Sequence, residues 1–315
     1  MTAPEPSRRT AVVALAAAVL LPLAGVRWAA THFARTLATR EAAAAAGYLA
    51  VVTRAPRGGG GYDAAQLLIR ARALAQLPGL SARVEVYHGT APLIRATAPP
   101  LAPATLERLR RDVAPEPTAD GVLTPLLDRD GWDVVGAVAA DVGSVGWPVS
   151  QWSFAALLLI VVAGAQATRA LGAPPATWRP ALARYTAAAC LFGAAAFADV
   201  RLAAQDATER WLDDTRLLLE EAAARVPDLR FAPPGLARVA RDAAIVPADS
   251  AGPAITRRDA AGVVYATVAV RLAPGHWIEL RAHPLEAATG VWLPAMLALA
   301  LFGPLGARLA TWAAA

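Results

Sequence analysis

The stretch DRDGWDVVGAVAA, residues 128–140, has a counterpart in RRDAAGVVYATVA, residues 257–269. The two segments start 129 residues apart and align without a gap, so that Asp130 falls on Asp259 and a pair of valines falls on another pair. Asp and Gly favour turns and alternating valines favour strands, so each segment predicts a tight turn followed by a half-buried strand. Duplication of one module and mere analogy both explain the match.

Similar elements precede the two segments. A long helical pattern covers residues 31–54 and again 201–226, and a shorter one covers 63–76 and again 235–243. In the second long helix four residues recur at helical spacing, namely Trp211, Thr215, Leu218 and Ala222. Alternating apolar residues then predict antiparallel strands at 82–89, 92–97, 121–130, 132–141, 254–259, 262–273 and 276–284.

The stretch LLDRDGWDVVGAVAA, residues 126–140, resembles the strand–turn–strand signature of Cache and PAS sensor domains. That signature consists of an apolar pair, then Asp-x-Asp-Gly, then an apolar strand. The order long helix, short helix, antiparallel sheet is similar to such modules in both blocks. The second block departs from the pattern, because Ala260-Ala261-Gly262 stands where the first has Gly131. The resemblance implies two tandem α+β sensor modules.

A sensor module of this kind would hold its ligand inside the sheet. In the first block we expect such a pocket near Tyr87, Arg95 and Trp132.

The composition, 56% hydrophobic with a mean hydropathy of +0.40, favours a membrane protein. Four apolar segments are candidates for transmembrane helices of about 20 residues each. The predicted fold class is therefore a membrane α+β protein with four transmembrane helices and two extracytoplasmic domains. Its segments are a tail 1–10, span 11–30, domain 31–150, span 151–170, loop 171–183, span 184–200, domain 201–288, span 289–310 and tail 311–315.

The net charge of +5 lies at the ends of these spans. Residues 31–150 hold 12 arginines and 11 acids, and residues 199–288 hold 11 arginines and 13 acids, so both blocks are nearly neutral. The surplus arginines at the span ends predict cytoplasmic termini and periplasmic domains in a bacterial inner membrane. No basic patch remains for nucleic acid. The predicted cytoplasmic segments are also too short to fold as an output domain.

Two residue types expected at span ends and helix interfaces are present. Tryptophans at the span ends are typical of membrane-interface anchors, and they are Trp28, Trp147, Trp152, Trp178, Trp292 and Trp312. Small residues on the third span predict a helix that packs against a partner, and they include Ala189, Gly193 and Ala196.

Catalytic patterns are missing from the sequence. All 30 basic residues are arginine, so a Walker A lysine and a Schiff-base lysine are excluded. A single cysteine, Cys190, excludes an internal disulfide and a Cys-x-x-Cys pair. His276 and Glu279 would face opposite sides of a strand, and His283 precedes a proline, so we expect no metal site. The sequence predicts no cofactor and no enzymatic activity.

Two functions remain. The first is a non-enzymatic accessory or scaffolding subunit of a larger respiratory, photosynthetic or transport complex in the membrane, with other membrane subunits and lipid as partners. The alternative is a periplasmic ligand-sensing receptor that signals through a separate membrane partner. A transporter component or an unrecognised enzyme is a more distant alternative. A transporter core would be expected to have polar or broken spans, and the first, second and fourth spans have neither feature.

Overall fold

The computed structural model describes ten stretches of the chain, and within them it contains six α-helices and two antiparallel sheets. The described residues are 8–53, 64–74, 76, 84–95, 97–128, 133–142, 151–170, 175–231, 233–248 and 252–283.

The elements of the first half are two helices, a sheet interrupted by a third helix, and a fourth helix. In chain order they are α1 (Arg8–Val52), α2 (Ala64–Leu74), β1 (Val84–His88), β2 (Ala91–Pro92), α3 (Pro103–Asp112), β3 (Glu116–Pro117), β4 (Gly121–Leu127), β5 (Val134–Asp141) and α4 (Gln151–Ala170).

The second half repeats the succession of a long helix, a short helix and a sheet. Its elements are α5 (Pro175–Arg225), a 3-10 turn (Pro227–Phe231), α6 (Pro233–Val239), β6 (Ala244–Ala248), β7 (Ile255–Arg258), β8 (Val264–Ala273) and β9 (His276–Ala282). The sequence patterns located both long helices, both short helices and most strands, but they missed α3, β3 and β6.

The two sheets belong to one compact unit. The chain divides into a unit with the described residues of 34–145 and 205–285 and a second unit with the described residues of 1–33 and 146–204. The blocks that the sequence divides into two domains, 31–150 and 201–288, therefore contribute to one unit. Its hydrophobic core draws on α1, α2, α5, α6 and both sheets.

The two sheets share part of their strand order. The first sheet has the order β2-β1-β5-β4-β3 and the second has the order β6-β9-β8-β7. In the first sheet β5, the last strand in chain order, lies between β1 and β4. In the second sheet β9, again the last strand, lies between β6 and β8. The match at 128–140 and 257–269 instead pairs β5, the last strand of one sheet, with β8, which precedes the last strand of the other. By sheet position the match is displaced by one strand.

Helical spacing on α5 places one face of the helix in the core. Trp211, Thr215, Leu218 and Ala222 are all buried, as their spacing predicts. Along the strands, side chains alternate between the two faces of the sheet, and this alternation places one face of the first sheet in the core. In β4 and β5, Val122, Leu126 and Val138 face this core, and Leu123 and Ala137 face α3 on the other side of the first sheet.

Within the described part of the chain, no helix is both long enough and apolar enough to cross a membrane. The predicted membrane fold with four transmembrane helices is therefore wrong, and so is the multi-pass placement in a bacterial inner membrane. The third candidate span shows one physical reason. Residues 185–198, between Arg184 and Asp199 of α5, extend only about 21 Å as a helix, against ~30 Å of hydrocarbon. The fourth candidate, 289–310, lies outside the described residues.

Candidate functional site

A cavity of about 470 Å³ lies over the face of the first sheet that also carries α3. This volume falls within the usual range for small-molecule sites. Its polar lining consists of Glu85, Tyr87, Arg95, Thr97, Thr118, Asp120 and Asp141, and its apolar lining includes Leu101, Leu123 and Ala139.

Strand register explains why these side chains share one face. Ala139 of β5 lies directly opposite Glu85 of β1 on one side and Leu123 of β4 on the other. Side chains alternate along a strand, so Tyr87 and Asp141, two positions away from this row, point to the same face. Alanine in the central strand leaves the space above it open, and the cavity occupies that space.

Glu85 is the most deeply buried polar residue of the cavity, with 1% of its side chain exposed. Its carboxylate accepts hydrogen bonds from the backbone N–H of Ile94 at 2.8 Å and of Arg95 at 3.0 Å. It also accepts one from the Nε–H of Arg95 at 3.1 Å. A buried carboxylate is tolerated because such partners replace water. Glu85 therefore fixes the segment after β2 against the sheet.

Arg95 links Glu85 to a second carboxylate. Its guanidinium, 45% exposed, also lies 3.5 Å from the Oδ2 of Asp141. The hydrogen bond to Glu85 raises the pKa of Arg95, partly opposed by burial. A third carboxylate of the lining, that of Asp120, makes no ion pair with any residue that the structure describes. Three carboxylates and one guanidinium leave the lining with an excess of negative charge.

Tyr87 supplies the aromatic surface of the cavity. It is 8% exposed, and burial raises the pKa of its phenol, with a further contribution from the charge of Glu85. The phenol therefore stays protonated at neutral pH and retains a hydroxyl that can donate a hydrogen bond.

The structure brings two of the three predicted pocket residues together. Tyr87 and Arg95 both line the cavity, and Trp132 lies outside the described residues. Sequence reasoning missed Glu85, Asp120 and Asp141. One signal was available for Glu85, because it precedes Tyr87 by two residues in a predicted strand and so shares its face.

The other predicted site residues lie away from this cavity. On α5, Gly193 and Ala196 are buried. Trp28 of α1 is 53% exposed and stacks on His32 with 5.6 Å between ring centroids. The remaining ones have no described side chain, and they are Ala189, Trp147, Trp152, Trp178, Trp292 and Trp312.

The described residues contain no group of three His, Cys, Asp or Glu side chains that could hold a metal ion. His283 instead contacts the backbone of β8, with its Nδ1 3.4 Å from the carbonyl oxygen of Val264. The chemistry that the cavity offers is therefore recognition by charge, hydrogen bonds and an aromatic ring.

No protein-family model, no curated protein and no solved structure matches this chain.

Proposed function

We propose that the protein is a non-enzymatic binding protein that holds a small cationic molecule in the cavity of its first sheet. The observation that carries this proposal is the lining itself, in which three carboxylates face one guanidinium. A cationic group would lie between Asp120 and Asp141, where Arg95 does not neutralise both charges. Leu101, Leu123 and Tyr87 would contact the apolar part of the molecule.

The sequence indicated a ligand-sensing receptor as the alternative function. The proposed binding role keeps this function and omits the predicted membrane spans. The resemblance to Cache and PAS modules remains part of the proposal, and the succession of long helix, short helix and antiparallel sheet supports it. Occupation of the cavity would be communicated to another protein. The segment after β2 is the element best placed to respond, because Arg95 belongs both to it and to the lining.

Calorimetric titration of the full chain with octylamine tests whether the cavity binds a cation. We expect octylamine to bind and its affinity to fall about tenfold when Asp120→Asn and Asp141→Asn are combined, since each removes a charge-assisted contact. Asp112→Asn is the matched control, because Asp112 pairs with Arg111 on the surface of α3. Octylamine affinity that is unchanged in the double variant would refute the proposal.

An accessory or scaffolding subunit is the second candidate, and the surface of α4 favours it. Four large apolar side chains of this helix are more than half exposed, and they are Phe154, Leu158, Leu159 and Val162. Phe154, Leu158 and Val162 recur every four residues and so lie along one side of the helix. Contiguous exposed apolar surface of this kind marks interaction sites.

A pair of substitutions on α4 tests this second candidate. Leu158→Gln with Val162→Gln should abolish co-purification of a stoichiometric partner while leaving the melting temperature unchanged. Ile69→Gln on α2 is the control, because Ile69 is equally exposed, at 54%, and lies outside α4. A lone monodisperse chain that octylamine stabilises would contradict the subunit role and support the binding role.

A further inference from the structure

A second cavity, of about 370 Å³, lies between α1, β4 and α6 and shares no lining residue with the candidate site. On α1 it is lined by Ala43, Ala46, Gly47 and Ala50, which occupy a single helix face. The alanine side chains there are no more than 7% exposed. Because the side chains on that face are small, an open space remains between α1, α6 and β4.

Thr124 of β4 lines this cavity, and its hydroxyl is unsatisfied. The residue is 3% exposed, and its Oγ1 is buried without a hydrogen-bond partner among the residues that the structure describes. A buried hydroxyl in this state is unfavourable, since it has lost water and gained nothing in exchange. An oxygen atom of a ligand in the cavity would accept its proton and remove that penalty.

The charge of this cavity is opposite to that of the candidate site. Arg238 and Arg241 line it, and no acidic residue does. Arg241 is exposed and makes no ion pair within the described part of the chain. On α1, burial lowers the pKa of Arg40, and the charge of Asp242 partly opposes this effect. The guanidinium of Arg241 is therefore available to an anion.

We infer that this second cavity binds a medium-chain carboxylate, with its apolar chain along the small face of α1 and its carboxylate on Thr124 and Arg241. At about 30 Å³ for each non-hydrogen atom, the volume has room for about 12 such atoms, which suits a chain the length of octanoate. The inference is independent of the cationic ligand proposed for the first cavity.

Calorimetric titration of the full chain with octanoate and with octanol tests the inference. Octanoate should bind more tightly than octanol, because only the carboxylate can pair with a guanidinium. Arg241→Gln should weaken octanoate binding about tenfold, as expected for loss of a charged hydrogen bond. Arg72→Gln, on the exposed side of α2, is the control and should leave octanoate binding unchanged.

Thr124→Val gives a readout that does not depend on an arginine. Valine has nearly the shape of threonine and lacks the unsatisfied hydroxyl, so the ligand-free variant should melt at a higher temperature. The same variant should bind octanoate about fivefold more weakly, because one hydrogen bond is lost. Equal binding of octanol and octanoate would overturn the inference, as would octanoate binding that neither Arg241→Gln nor Thr124→Val weakens.

Discussion

Two glutamates, one in each sheet, are held in different ways. Glu85 in β1 accepts hydrogen bonds from backbone N–H groups as well as from an arginine, and it is 1% exposed. Glu279 in β9 is 15% exposed and pairs with the side chains of Arg281, at 2.7 Å, and Arg257, at 4.0 Å. A buried glutamate in a strand therefore holds a neighbouring backbone segment in place when backbone N–H groups donate to its carboxylate, as they do for Glu85.

Replacement of these two glutamates should separate the two cases most clearly. Glu85→Ala should lower the free energy of unfolding by about 3 kcal/mol, because two partly buried backbone N–H groups and the Nε–H of Arg95 lose their acceptor. Glu279→Ala should lower it by less than about 1 kcal/mol, as its partners are half-exposed arginines. Denaturant unfolding of both variants measures the difference. Equal losses would mean that Glu85 is no more important than a surface ion pair.

The first and second halves meet where α1 crosses α6, and this crossing tests whether their core is truly shared. A Cβ on Gly47 would overlap the backbone oxygen of Arg238. Gly47→Ala should therefore destabilise the protein by about 2 kcal/mol, although alanine favours helix by about 1 kcal/mol.

The matched control for this crossing is Gly252→Ala, where an added Cβ meets nothing within 4 Å. Thermal unfolding followed by circular dichroism compares the two variants. A Gly47→Ala protein as stable as the Gly252→Ala protein would show that α1 and α6 can separate without loss, and hence that the halves are only loosely joined.

Positive φ angles mark a smaller difference between the halves. In the second half, glycine occupies both described positions of this kind, Gly262 at φ +81° and Gly275 at φ +72°. In the first half Gly89 has φ +56°, but a second such position is held by Val113, which ends α3 with φ 47° and ψ 35°. A branched side chain is strained in this region, whereas glycine is not.

Exchange of residue type at these positions should have opposite effects. Val113→Gly should raise the free energy of unfolding by about 1 kcal/mol, and Gly262→Ala should lower it by about 1 kcal/mol. Urea unfolding is precise enough to give both signs. A destabilised Val113→Gly protein would show that the contacts of the valine side chain outweigh its backbone strain.

The sequence predicted helices and strands well where one face is buried. Helical spacing located the buried face of α5, and alternation located β4, β5, β8 and β9 to within a few residues. It missed α3 and β3 because they lie in the proline-rich stretch 99–117, where most residues are exposed and no apolar period stands out. β6 is likewise half-exposed along its length.

The repeated segment was a poorer guide to the relation between the halves. A turn followed by a valine-rich strand describes most hairpins of an antiparallel sheet, so the match at 128–140 and 257–269 holds for strands in unequal positions. In the shared strand order, β5 corresponds to β9. This correspondence depends on which strands are hydrogen-bonded to each other, and an ungapped alignment of the sequence does not show it. The membrane prediction failed for a related reason, since apolar composition alone does not state what a segment packs against.

In the candidate site, the sequence indicated Tyr87 and Arg95, and the strand period implied that Glu85 shares the face of Tyr87. By itself the sequence determined the local elements, because turns and the periods 2 and 3.6 follow from backbone geometry. Only the tertiary structure decided that two blocks share one core, that Arg95 reaches both Glu85 and Asp141, and that two cavities of opposite charge lie against the first sheet. These features depend on distances between residues far apart in the chain, and local patterns do not specify such distances.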